Sequence, residues 1–246
     1  MSGHSKWSQI KHKKGIADQK RGQLFSKLSK NIILAVKEKG DNPNINYQLK
    51  LAIEKAKTFN MPNDSIDRAI KKASLPTRQG VGEKETSNFE EVIYEAYGPG
   101  GTALMLEAIT DNRNRTVAEI KHILSQYEGK LAEPGSVSWM FEKRAVIEIK
   151  KNKIDENKEL DIIEAGAEDL ESHEEKIDVY AKPENLENIK NRLIKKGVEI
   201  ISASIDLVAK NPVQITNQAA KKKIEELFEA LDDQEDVQEI YSNIKN

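Results

Sequence analysis

Residues 89–110 read FEEVIYEAYGPGGTALMLEAIT. Two runs rich in Val, Ile, Tyr and Leu, Phe89 to Tyr97 and Thr102 to Thr110, flank Gly98-Pro99-Gly100-Gly101. β-Branched and aromatic residues suit a pleated surface, glycine supplies positive φ and proline fixes one dihedral, so the stretch predicts a β-hairpin. A glycine-rich dinucleotide fingerprint needs a helix next; a strand follows instead, and the cofactor reading fails on context. The turn keeps two readings: hairpin geometry, or a bare backbone surface that lets RNA or another chain approach closely.

Downstream of the hairpin, Val117, Ile120, Ile123, Leu124 and Tyr127 fall at helical spacing. They predict a helix from about 116 to 127 with Thr116 and Glu119 as its capping box. The alternation continues with strands near 137–141 and 145–149, a helix near 159–165, a strand at 176–180 and a helix over 183–196. A strand at 198–208, a helix over 219–231 and a last strand at 237–241 complete it. Helices and strands mixed in this number predict an α+β arrangement in two units, with helices on one face of each sheet.

Upstream, three apolar stripes at three- and four-residue steps predict three helices. Leu24, Leu28, Ile32 and Val36 mark the first, which stops at Gly40-Asp41-Asn42-Pro43. Leu49, Ile53 and Ala56 mark the second, over 46–60, ended by Met61-Pro62. Ile66, Ala69, Ile70 and Ala73 mark the third, which Asn63 or Asp64 can cap, with Arg68, Lys71 and Lys72 left outside. Ser74 to Asn88 holds Pro76, Gly80 and Gly82 with almost nothing apolar and reads as an interdomain linker.

The net charge of −2 over 246 residues conceals an asymmetry: residues 1–80 carry +11 and residues 81–246 carry −13. A basic block of that size concentrates polyanions and releases counterions on docking, which makes nucleic acid its first candidate partner. A membrane surface is a second candidate, and a solvated lysine-rich surface is the plain alternative. Lys6, Lys11, Lys13, Lys14, Lys20 and Arg21 crowd around a single acid, Asp18, and Trp7, Ile10 and His12 interrupt them. The segment reads as a nucleic-acid-contacting arm, with lysines for phosphates and rings for stacking; alternatively Trp7 and Ile10 anchor it on the helical domain. Lys27, Arg68 and Lys71 extend the same positive face onto the helices.

A second anchor is Asp111-Asn112-Arg113-Asn114-Arg115-Thr116, placed just before a helix. Free N–H groups and the helix dipole attract phosphate there, and Arg113, Asn114 and Arg115 add donors. Equally, Asp111 or Asn112 caps the turn and the arginines pair with acids.

Other classes are excluded one by one. No apolar run exceeds the five residues Ile32 to Val36, against the ~18 that a membrane span requires. The start lacks a secretory apolar stretch and neither end carries a lipidation motif, so the expected location is the cytoplasm. There is no cysteine, no nucleophile elbow, no phosphate-binding P-loop and no zinc-protease helix, and the four histidines lie in unrelated contexts. The acidic stretch Glu168 to Glu175 lacks the spacing of a calcium loop and reads as a solvated turn. No enzyme activity, cofactor, metal or small-molecule substrate is expected.

Several strings resemble the YebC/PmpR family, whose mitochondrial members include the translational activator of cytochrome oxidase subunit I. They are Ser2-Gly3-His4-Ser5-Lys6-Trp7, Ile10-Lys11-His12-Lys13-Lys14, Phe25-Ser26-Lys27-Leu28, Asn60-Met61-Pro62, Arg68-Ala69-Ile70-Lys71, Tyr97-Gly98-Pro99-Gly100-Gly101 and Thr110 to Thr116. Gly135-Ser136-Val137 and Gly166-Ala167-Glu168-Asp169 extend the likeness. The resemblance implies a basic arm and helical domain over 1–79 followed by two α+β sheet domains, one inserted in the other. Residues 80–131 would rejoin 206–246, with 132–205 inserted. It also implies a regulator of gene expression that binds promoter DNA, or a translation factor that binds ribosomal or messenger RNA at the ribosome.

Overall fold

The computed structural model describes residues 18–74, 88–151 and 156–245. Lys6, Trp7, Lys11, His12, Lys13 and Lys14 of the expected arm, and most of the expected linker, lie outside the described residues.

In α1 (Asp18–Lys39) Leu24, Leu28, Ile32 and Val36 turn one stripe inward. Gly40 ends it at φ +84, its N–H on the carbonyl of Val36 at 2.7 Å, a left-handed stop that glycine adopts without a Cβ clash. Asn46 then joins two helices: its carboxamide oxygen caps α2 (Tyr47–Thr58) through the N–H of Leu49, and its NH2 donates to the carbonyls of Ala35 and Gly40. α3 (Asn63–Ser74) closes the bundle with Ile66 and Ala69.

β1 (Glu90–Tyr97) and β2 (Ala103–Thr110) form the expected antiparallel hairpin, in register from Glu90 opposite Thr110 to Tyr97 opposite Ala103. The connection is a single 3-10 turn with Gly100 at φ +70 and Gly101 at φ +74. α4 (Arg113–Gln126) and a two-residue β3 (Lys130–Leu131) follow. The sheet is completed only at the far end of the chain, where α7 (Gln218–Asp233) leads to β8 (Val237–Ser242) beside β2, in the order β3-β1-β2-β8. α4 and α7 cover one face of it through Ile120, Leu124, Leu227 and Phe228. The other face offers Ala103, Met105 and Tyr241 to Val137, Phe141 and Ala209. β2 is therefore buried on both faces, which explains why ALMLEAIT does not alternate.

Between β3 and α7 the chain builds a second antiparallel sheet, ordered β5-β6-β4-β7. Its parts are β4 (Phe141–Lys150), α5 (Glu156–Glu164), β5 (Asp169–Ser172), β6 (Lys176–Ala181), α6 (Leu186–Lys195) and β7 (Ile200–Ala209). Ala145, Ile147 and Ile149 meet Ile162, Leu186, Ile189 and Leu193 of the two helices. The architecture is α+β: a helical unit, then two sheets with helices, one inserted in the other. β7 pairs with β4 as far as Ala209, which stands opposite Phe141.

Three local expectations change. Thr116 does not cap α4: the cap is Asn112, which accepts from the N–H of Arg115, and Thr116 is buried inside the helix. No strand forms over 137–140, where Ser138–Met140 make a 3-10 turn. There the Glu95 carboxylate accepts from the N–H groups of Gly135, Val137 and Ser138, which removes the donors a strand would need. Finally, Asp169–Ser172 of the acidic stretch is strand β5, paired with β6, and only the residues after it turn.

Candidate nucleic-acid interface

Five lysines of α1 and α2 reach carboxylates or carbonyls in the two sheet units. Lys20 lies 3.2 Å from Asp233 and 3.5 Å from Glu229 at the end of α7. Lys27, only 5% exposed, donates to the carbonyl of Asp232 at 2.5 Å. The last carbonyls of a helix carry the negative end of its dipole, so a cation is stabilised there. Lys30 donates to Asp236 at 2.7 Å, Lys50 to Glu187 at 2.8 Å, and Lys55 pairs with Glu239. Lys190 of α6 reaches back to Glu54 at 2.6 Å.

Asp236 organises the junction. Its buried carboxylate accepts from Lys30 of α1, from Arg115 at 2.9 Å and from the Thr116 hydroxyl at 2.7 Å. Burial alone would raise its pKa, but the hydrogen bonds from Lys30, Thr116 and Arg115 outweigh that and hold the carboxyl well below the usual range. The Asp111 to Thr116 string is thus tied down: Asn112 caps the helix, Arg115 binds Asp111 and Asp236, and Arg113 binds Glu90 at 2.6 Å. Arg113 still shows 60% of its side chain to solvent, and Asn114 is exposed.

α3 behaves differently. Arg68, Lys71 and Lys72 stand on its outer face, all exposed, opposite buried Ile66 and Ala69. The Arg68 guanidinium is laid along its own helix by the carbonyl of Asp64 at 3.1 Å and the Ser65 hydroxyl at 3.0 Å. Among the described residues none of the three forms an ion pair with a carboxylate. The acids of α3, Asp64 and Asp67, sit toward its start and the cations toward its end. Arg21, on α1, is also exposed.

Residues 5–75 match the family model described as "TACO1/YebC protein N-terminal domain", and residues 89–244 the one described as "TACO1/YebC second and third domain". The chain belongs to the TACO1/YebC family. It is 47% identical over 246 residues to a "Probable transcriptional regulatory protein" of Halothermothrix orenii, covering 99% of this chain and 94% of that one. A protein of the same name from Thermotoga maritima is 45% identical over 247 residues, covering 100% and 94%. The crystal structure of a conserved hypothetical protein from Aquifex aeolicus superposes with a TM-score of 0.83 at 44% identity, covering 98% and 97% of the two chains.

The TACO1/YebC chain also contains a junction that its sequence did not flag. Glu107 on β2 stands directly opposite Glu239 on β8 and accepts from the Tyr241 hydroxyl at 3.1 Å. Burial, with the charges of Glu239, Glu91 and Asp206, pushes the Glu107 carboxyl up to about 7. For Lys55, burial is outweighed by Glu239, Asp206 and Glu107, and its pKa rises. A helical-unit lysine thus sits among carboxylates from both sheets. The signal in the sequence was a lone glutamate inside ALMLEAIT, and Glu95 inside EVIYEAY is its counterpart. Among the described residues no group of three or more His, Asp or Glu could hold a metal ion.

Proposed function

We propose that this TACO1/YebC chain is a non-enzymatic regulator of gene expression that grips nucleic acid through its N-terminal unit. The observation that carries the reading is the exposed row Arg68, Lys71 and Lys72 at the end of α3, on a helical unit where Lys20, Lys27, Lys30, Lys50 and Lys55 are engaged by acids of the sheet units. The same unit bears Lys6, Lys11, Lys13, Lys14 and Arg21, with Trp7 and His12 among them. Lysine and arginine at this density attract phosphate chains whatever the base sequence. Arg113 and Asn114 offer a second anchor, since an exposed arginine–carboxylate pair is weak enough to exchange for phosphate. Lys20, Lys27 and Arg115 are left out of the proposed interface because acids of the sheet units hold them. DNA is the first target to test, given the name carried by the relatives.

The test is binding of fluorescein-labelled duplex DNA against salt concentration. If about six phosphates are neutralised, the log–log slope lies near −5. A slope near zero overturns the reading. Labelled DNA and RNA incubated with magnesium stay intact; reproducible cleavage lost on changing Glu107 or Asp206 overturns the non-enzymatic part. Salt-sensitive binding to ribosomes in co-sedimentation, far tighter than to DNA, moves the target from promoter DNA to RNA.

A further inference from the structure

The loop that crosses from the first sheet to the second carries Trp139, 61% exposed and the only tryptophan besides Trp7. Its indole N–H donates to the carbonyl of Ser136 at 3.0 Å, and the Tyr97 hydroxyl donates to the same carbonyl at 3.2 Å. Two aromatic rings therefore hang from one oxygen. The Lys130 ammonium lies 5.6 Å from the centre of the Tyr97 ring, and the Lys210 ammonium donates to the carbonyl of Trp139 at 3.0 Å. Both lysines are exposed, and among the described residues neither is ion-paired.

The loop is held stiffly for a segment that presents so large a ring to water. Glu95 accepts from three of its N–H groups at 2.7 to 2.9 Å, and Val137 and Phe141, before and after Trp139 in the chain, are buried. Burial raises the Glu95 carboxyl, but the backbone bonds outweigh it and keep it low, so the clamp stays ionised. Covering Trp139 would bury more apolar area, yet the clamp and the indole hydrogen bond fix it outward. With the ring N–H engaged, the indole has its faces to offer, not its edge. Aromatic faces between cations stack unpaired bases while the cations take the adjoining phosphates.

We propose that Trp139 and Tyr97, with Lys130 and Lys210, form a binding site for an unstacked base of single-stranded nucleic acid. The site rests on the nucleic-acid reading above and deepens it: the helical unit grips phosphate, and the sheet units hold an unpaired base. Stacking without edge contacts makes the site tolerant of base identity.

Affinity is read on the parent chain, since Trp7 belongs to the proposed arm, and Trp7→Phe, which leaves Trp139 as the sole indole of the full chain, is used for fluorescence. Its emission is followed during titration with oligothymidylate and, separately, oligouridylate, while anisotropy of the labelled strand reports binding independently. Emission falls in step with anisotropy, and Trp139→Ala weakens the strand by roughly 5- to 100-fold, as loss of one stacked base does. Trp139→Phe retains most of the affinity, and Glu95→Gln, which loosens the clamp, loses part of it. Strand binding with unchanged Trp139 emission, or with unchanged affinity in Trp139→Ala, overturns this inference alone. Absence of binding to any strand or duplex overturns it together with the nucleic-acid reading.

Discussion

Helices α1 and α2 hold Lys20, Lys27, Lys30, Lys50 and Lys55 against the acids of the sheet units, whereas α3, a few residues on, keeps Arg68, Lys71 and Lys72 in solvent. All three helices belong to the same basic block and look alike in composition. The difference is position: α1 lies along the end of α7 and α2 against α6 and β7, while the outer face of α3 meets neither sheet. One part of this basic segment is counter-charge for its own acidic body, and another part stays in solvent. The proposed interface rests on the second part.

That division can be broken at its buried end first. Asp236→Ala leaves Lys30 and Arg115 without their shared carboxylate, and removing one partner of a buried pair costs about 3 to 5 kcal/mol. Urea unfolding should show the loss, while the folded fraction binds nucleic acid as the parent does. At the exposed end, Arg68→Gln, Lys71→Gln and Lys72→Gln together should weaken duplex binding by about a hundredfold and flatten the salt slope by about 3 units. The melting temperature should stay nearly where it is, since these side chains are exposed and Arg68 bonds only to its own helix turn.

The junction sharpens the comparison through pH. The Glu107 carboxyl sits above its ordinary value of 4.5, at about 7. Below the ordinary value it is protonated in folded and unfolded chains alike. Between pH 4.5 and about 7 the unfolded chain gives up this proton while the folded chain keeps it against the charges of Glu239, Glu91 and Asp206, so stability falls across that window and levels off above it. Glu107→Gln should therefore be nearly neutral at about pH 4 and stabilising by on the order of 2 kcal/mol at about pH 8. Asp236 acts in the opposite sense, since its depressed pKa contributes stability that is lost as pH falls below the usual carboxylate range. Comparing each variant with its parent at every pH separates the two. The smallest effect belongs to Lys50→Ala: its bond to Glu187 is partly exposed, and such pairs contribute about 0 to 1 kcal/mol.

Much of the architecture was readable because it is written in neighbouring residues. The hairpin needs only a turn and two apolar runs, and the three N-terminal helices only their stripes and stops. β3, with two residues, and β5, with four, are too short for a period to show. The strand expected over 137–141 failed because a carboxylate some forty residues upstream takes its N–H groups. Of the candidate interface, Arg68 and Lys71 stand outside as the stripe of α3 required. Lys27 and Arg115 could not be sorted this way: their partners Asp232 and Asp236 lie 205 and 121 residues away.

Periodicity, turn chemistry and the lopsided placement of charge are local properties, and they were enough to name the elements, the α+β class and a polyanion as the first candidate partner. Which lysine meets a carboxylate and which meets water is a property of the packed chain. Coulomb attraction and desolvation depend on distance and burial, and packing alone sets both for residues far apart in sequence.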